Sequence, residues 1–334
     1  MLNVRSNTLS ARHNHSHGWA DYFIHRIILS IILIGFSPLI TSTEHVLNVL
    51  ILKSSEAEVY DTVLKQIKQH LNEQCKQQPE DCRGMDIQDH IVDTTSIIPD
   101  DADLIISLGL KARTFANQRF SGNKIINAMI PIGGNELTEL EIKAPKHPTL
   151  VLDQPPIRSL LLIKYLMPDA QHIGFLYSQD NSDQVALLEK SAEILGLSLV
   201  PSFVGDESRI GKQLSLMFDE IDVLLALPDT NIHNRKNVTS ILLSTYRNKI
   251  PLIGFSAAYV KAGATAAVYS TPDNIGHQIA EIIDSFFRDQ AIPKQIIYPQ
   301  YFSVSINSRV ARSLAIQIPA ESDTIERLIR EAEK

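Results

Sequence analysis

Scarce cysteine and the lack of any concentrated positive charge set the first limits on this chain. Only two cysteines occur in 334 residues, Cys75 and Cys82, which rules out a disulfide-dense scaffold. Lys and Arg form no cluster, and acidic side chains outnumber them 38 to 31, for a net charge of −7. Setting aside residues 1–43 leaves 28 Lys+Arg against 37 Asp+Glu, or −9. So acidic a chain is a poor partner for nucleic acid. Catalytic signatures are missing too: there is no G-x-S-x-G, H-E-x-x-H, C-x-x-C or P-loop pattern. Beyond the leader the histidines, among them His90, His172, His233 and His277, form no i,i+4 pair on an expected helix. Hence no metal site, cofactor or catalytic set is expected. Gly133-Gly134 reads as a tight turn rather than a phosphate cradle. No internal repeat of 20–50 residues and no low-complexity linker divides the chain.

The composition that remains, 44% apolar and 21% charged, is that of a soluble globular protein long enough for two domains. Near the start, His25-Arg26 precedes an apolar run over 27–40, short for a bilayer span but suited to a signal-peptide core. Thr41-Ser42-Thr43 offers a cleavage position. Residues 1–43 therefore read as a signal peptide or an uncleaved N-terminal anchor, and the bulk of the chain as exported, to the periplasm. No cysteine follows the run, so a lipoprotein anchor is not available. His13-Asn-His-Ser-His17 belongs to this leader. In an oxidising compartment Cys75 and Cys82 are spaced to close a small ring, a disulfide that contributes about 2–3 kcal/mol; the alternative is two surface thiols.

From residue 46 short apolar runs alternate with helical segments. Strands are predicted over 46–52, 87–93, 104–108, 124–130 and 149–153, with helices over 57–74 and 111–119. A second set follows: helix 157–166, strand 172–177, helix 183–195 capped by Gly196, then strands 197–204, 223–227, 251–255 and 265–269. Alternation of this kind argues an α/β fold with parallel sheets in two lobes. The stretch 223–283 carries polar groups just past the carboxyl ends of buried strands, where open α/β sheets bind small molecules. Asp229 there is either a ligand acceptor or the cap of the helix that follows.

Particular residues carry a family resemblance. Pro228-Asp229-Thr230-Asn231, Lys249-Ile-Pro-Leu-Ile-Gly254, Tyr259-Val-Lys-Ala-Gly263-Ala264, Gly276, Ile306-Asn307, Ala311, Leu314 and Ile318-Pro319 resemble the ABC-transporter substrate-binding family that includes aromatic amino-acid binders. Upstream, 161–168 and Ile173-Gly174-Phe175-Leu176-Tyr177 look like the same family, and the resemblance spans roughly 46–320. Two stretches depart from it. Gly109-Leu110-Lys111-Ala112 stands where members carry Gly-Thr-x-Ala, and Pro131-Ile-Gly-Gly-Asn135 where an Asp-Pro pair is common.

The resemblance implies a type I periplasmic binding protein, with two Rossmann-like lobes around a hinge. Lobe 1 would hold 44–152 plus 272–292, and lobe 2 would hold 153–271 plus 293–334. A small-molecule ligand would be caught between them, with Ser54, Ser55, Leu110 and Lys111 on one wall and Tyr177, Ser178, Asp229, Asn231 and Tyr259 on the other. The expected partner is an ABC permease in the inner membrane, served by a monomer. Each tyrosine could equally be core packing. Three rivals are weighed against this: a sensor feeding a membrane kinase or receptor, an α/β enzyme, and a DNA-binding regulator of the same fold.

Overall fold

A computed structural model describes residues 46–333 except 78–83, 94–96, 134–136, 138–144 and 290–294. The expected leader, the residues up to 43, lies outside the described residues, as does Cys82; Cys75 is disulfide-bonded.

The first sheet is built from runs apolar on both faces, the mark of a parallel sheet covered on each side. Its strands are β1 (Leu47–Lys53), β2 (Met85–Ile91), β3 (Leu104–Leu108), β4 (Lys124–Ile130), β5 (Thr149–Val151) and β11 (Ile296–Ile297), in the order β11-β5-β4-β3-β1-β2, all parallel. Helix α1 (Glu58–Gln77) buries Val63, Leu64, Ile67 and Leu71, one face at helical spacing. It lies against α8 (Pro272–Asp289), whose Ile275, Ile279, Ala280, Ile283 and Phe286 enter the same core. Helix α2 (Leu110–Arg119) covers the other face through Ala112 and Ala116.

The second sheet repeats the plan with β6 (His172–Tyr177), β7 (Ser198–Phe203), β8 (Val223–Leu225), β9 (Leu252–Gly254), β10 (Ala266–Tyr269) and β12 (Ser303–Ile306). The order is β12-β10-β9-β8-β6-β7, and only β12 runs antiparallel. Around it stand α3 (Pro156–Leu166), α4 (Ser182–Leu195), α5 (Ile210–Met217), α6 (Val238–Arg247), α7 (Ala257–Ala262), α9 (Ser308–Ser313) and α10 (Ser322–Ala332). Gly196 ends α4 in the left-handed conformation, φ 66°.

Three crossings join the sheets: 152–155, 270–271 and 298–302. Lobe 2 is expected to take the residues from 293 onward; Ile296 and Ile297 pair with Thr149 and Leu150 and extend the first sheet. The pair of isoleucines finishes the exposed edge of β5 before the chain crosses.

Candidate ligand-binding site

Where the two sheets converge beside the crossings, a cavity of about 370 Å³ opens, within the usual size for a small-molecule site. The first sheet contributes Pro131 and Ile132, just past β4. The register of β4 on β5 shifts between Ala128 and Ile130, with Met129 at φ 60°, a bulge beside the segment that turns toward the cavity. The second sheet contributes Leu225 to Pro228 past β8, and Phe255 and Ser256 past β9. Helix α4 adds Gln184, Leu187 and Leu188, and the crossings add Asp153, Gln154, Ser270 and Tyr298.

Asp153 is the charged member of this lining, and it is 7% exposed. Its Oδ2 accepts from the Ile132 amide at 2.7 Å and its Oδ1 from Gln184 Nε2 at 3.1 Å, so it ties the first crossing to α4. Burial raises its pKa, and these two donors and its own backbone amide pull the other way. Tyr298 is pushed up to about 12 by burial and by the nearby Asp153 carboxylate.

The crossings are fastened to one another by a buried cation. Arg158, on the first turn of α3 and 6% exposed, donates from Nη1 to Gln154 Oε1 at 2.8 Å and to the Pro299 carbonyl at 2.6 Å. Its Nε pairs with Glu333 at 2.7 Å, and its guanidinium sits 4.2 Å from the Phe302 ring centroid. Gln154 Nε2 then donates to Ser270 Oγ at 2.9 Å, and Ser270 Oγ to the Tyr301 carbonyl. All three crossings therefore share one hydrogen-bonded unit. From the first-sheet side, Gln278 of α8 accepts from the Gln300 amide and donates to the Tyr298 carbonyl.

None of the nine ligand residues expected from sequence lines this cavity. Ser54 Oγ donates to the Leu108 carbonyl at 2.8 Å and accepts from the Ala112 amide at 3.0 Å, so it holds the start of α2. Ser55 is exposed and accepts from the Ala57 amide, and Lys111 is exposed on α2. Leu110 packs against the small apolar cluster of Ile130, Ile132, Leu137 and Val151. Asp229, 2% exposed, spends its carboxylate on the Ser178 amide at 2.9 Å and the Asn231 amide at 3.0 Å. It does not cap the following helix; Asn237 occupies that position in α6. Asn231 donates to Ser178 Oγ at 3.2 Å, and both line a separate cavity of about 300 Å³ beside Phe203. Tyr177 packs between Phe175 and Phe203. Tyr259 is core: its hydroxyl meets His233 Nδ1 at 2.7 Å, and burial raises its pKa while holding His233 down to about 3.

Sequence reasoning passed over Asp153, Gln154, Gln184, Phe255 and Tyr298. The signal for the first two was present, since Asp153-Gln154-Pro155-Pro156 is a polar strand end abutting a helix start. For Gln184 and Tyr298 only the folded chain brings a helix face and a crossing together. Among the described residues no group of three or more His, Cys, Asp or Glu is placed to hold a metal ion, and no helix is long and apolar enough to cross a membrane.

The family model described as ABC transporter substrate binding protein matches residues 47–326. No curated protein matches. Among solved structures, the ABC domain from Streptococcus pneumonia in complex with L-Trp is 22% identical, over 84% of this chain and 98% of that one, with a TM-score of 0.52. A ligand-free, open substrate-binding protein with adhesive properties from Clostridium difficile is 18% identical, over 83% and 97%, with a TM-score of 0.65. A conserved domain protein from Vibrio cholerae is 17% identical, over 85% and 98%, with a TM-score of 0.51.

Proposed function

The chain belongs to the ABC transporter substrate-binding protein family and has the type I periplasmic binding protein fold, and from that premise we propose that it captures a small molecule in the cavity between its sheets. The captured molecule is delivered unchanged to an ABC permease in the inner membrane, and the protein works in the periplasm as a monomer. One observation carries this reading: the cavity takes its walls from both sheets and from all three crossings. Occupancy and the relative position of the sheets are then coupled, because a ligand touching both favours the arrangement in which both walls reach it. The residues past β1, β3, β6 and β8, including Leu110, Lys111, Ser178 and Asn231, form the outer rim of the same cleft in this reading.

Native mass spectrometry of the purified protein is expected to reveal a co-purified small molecule. Calorimetry with that molecule should then give a 1:1 complex. Leu187, which lines the cavity and is 40% exposed, can be replaced without emptying the core. Leu187→Trp fills the space and is expected to weaken binding about tenfold, or 1.4 kcal/mol. An affinity untouched by this change would remove the cavity as the binding site.

A further inference from the structure

The lining of the cavity is unbalanced in charge. Among the described residues that line it, Asp153 is the one carboxylate, and there is no Lys, Arg or His. The nearest candidate cation, Arg158, is committed to Glu333, Gln154 and the Pro299 carbonyl. The helix that starts at this wall offers few amides. Helix α3 opens with Pro155 as its cap and Pro156 at its first position, and Gln154, Pro156 and Ser159 face the cavity. Neither proline has an N–H, so the usual anion-binding groups of a helix start are reduced there. A ligand carboxylate would thus meet Asp153 with no opposing charge.

Asp153, by contrast, has capacity to spare. It accepts from the Ile132 amide, from Gln184 and from its own backbone amide, all neutral, whereas an ionised carboxylate can accept about four hydrogen bonds. Burying it beside neutral partners alone is unfavourable, the physical cause of its raised pKa. Beside the neutral polar Gln154, Ser159, Gln184, Ser256 and Ser270, the described lining includes the apolar and aromatic Leu187, Leu188, Phe255, Tyr269 and Tyr298. Aromatic faces favour cations as well as apolar rings.

Resting on the solute-binding reading, we propose that the cavity selects an aromatic or alicyclic amine, bound as the cation with its nitrogen on Asp153, in preference to a free amino acid. Affinity for an amino acid would require a partner for its carboxylate, and the described lining holds none with positive charge.

Calorimetry near neutral pH on the purified protein decides this, using probes that share one ring: 2-phenylethylamine, phenylalanine and 3-phenylpropionate, then tryptamine, tryptophan and indole-3-propionate. At least one amine is expected to bind, about tenfold or more tighter than the amino acid with its ring, and the propionates not at all. Asp153→Asn should weaken the amine about tenfold and leave 2-phenylethanol unaffected. If that variant does not fold, Leu187→Lys serves instead; it should weaken the amine and allow the propionate to bind. The proposal is overturned if an amino acid or propionate binds as tightly as its amine, if no amine binds, or if neither variant changes the preference. A carboxylate ligand found bound by native mass spectrometry would overturn the charge selection while leaving the solute-binding reading intact. No small molecule bound under any condition would instead remove that reading itself.

Discussion

The polar ends of β6 and β8 and the cavity beside the crossings make opposite use of their side chains. In each sheet the strand order reverses next to the first strand, between β1 and β3 and between β6 and β8, the place where open α/β sheets bind ligands as a rule. Here those points carry Ser54, Ser178 and Asp229, and their side-chain polar atoms are taken up by nearby backbone amides, the Leu108 carbonyl and the Asn231 side chain. The described lining of the cavity also carries polar groups, and its carboxylate Asp153 retains acceptor capacity. A polar side chain past a strand end thus identifies a place where the chain turns, and only its hydrogen-bond partners tell whether it turns toward a ligand.

The largest effect is expected where the cavity's frame is broken. Arg158→Met leaves Glu333 and the Pro299 carbonyl without their partner and frees the crossings from one another; about 3 kcal/mol should be lost in denaturant unfolding. Asp229→Ala strips acceptors from two amides, one of them buried, and about 2 kcal/mol of stability should go. Ligand affinity should move by less than about 0.5 kcal/mol in that variant once folded, which separates a strand-end brace from a binding residue. A large loss of affinity with unchanged stability would invert the comparison.

Gly133 sharpens it from the other side. A Cβ there would collide with Asn181 Oδ1 and lie 2.8 Å from the Pro228 carbonyl, across the line where the sheets meet. Gly133→Ala should therefore hold the walls apart and weaken binding about tenfold, with thermal stability nearly intact. A smaller effect attaches to pH. Because burial raises the Asp153 pKa, the folded chain holds that proton more tightly than the unfolded chain. Stability of the unliganded protein should therefore fall as pH rises through and above the ordinary Asp range. Unfolding titrations across that window should show Asp153→Asn flattening the slope. Lys111→Ala, exposed and away from the lining, should change stability by no more than about 0.5 kcal/mol.

Much of the fold was legible because its signals are local. Runs such as Leu47–Lys53 and Leu104–Leu108 are apolar on both faces, and that pattern has one common solution in a doubly covered parallel sheet. Gly196 stopped α4 for an equally local reason, the left-handed backbone it accepts without strain. The pair Ile296-Ile297 was harder, since two residues carry too little period to show which sheet they join.

Sequence alone therefore determined the succession of strands as far as residue 269, the two-sheet plan and the family, all of which depend on patterns within short windows and on their succession. Tertiary structure decided which polar atoms are spent and which face a ligand. Asp229 and Asp153 are both aspartates past a buried strand. One folds back on the amides of Ser178 and Asn231, and the other stands between Ile132 and Gln184 at the cavity wall. Three of those four partners lie more than twenty positions away in the chain, a distance no local pattern encodes.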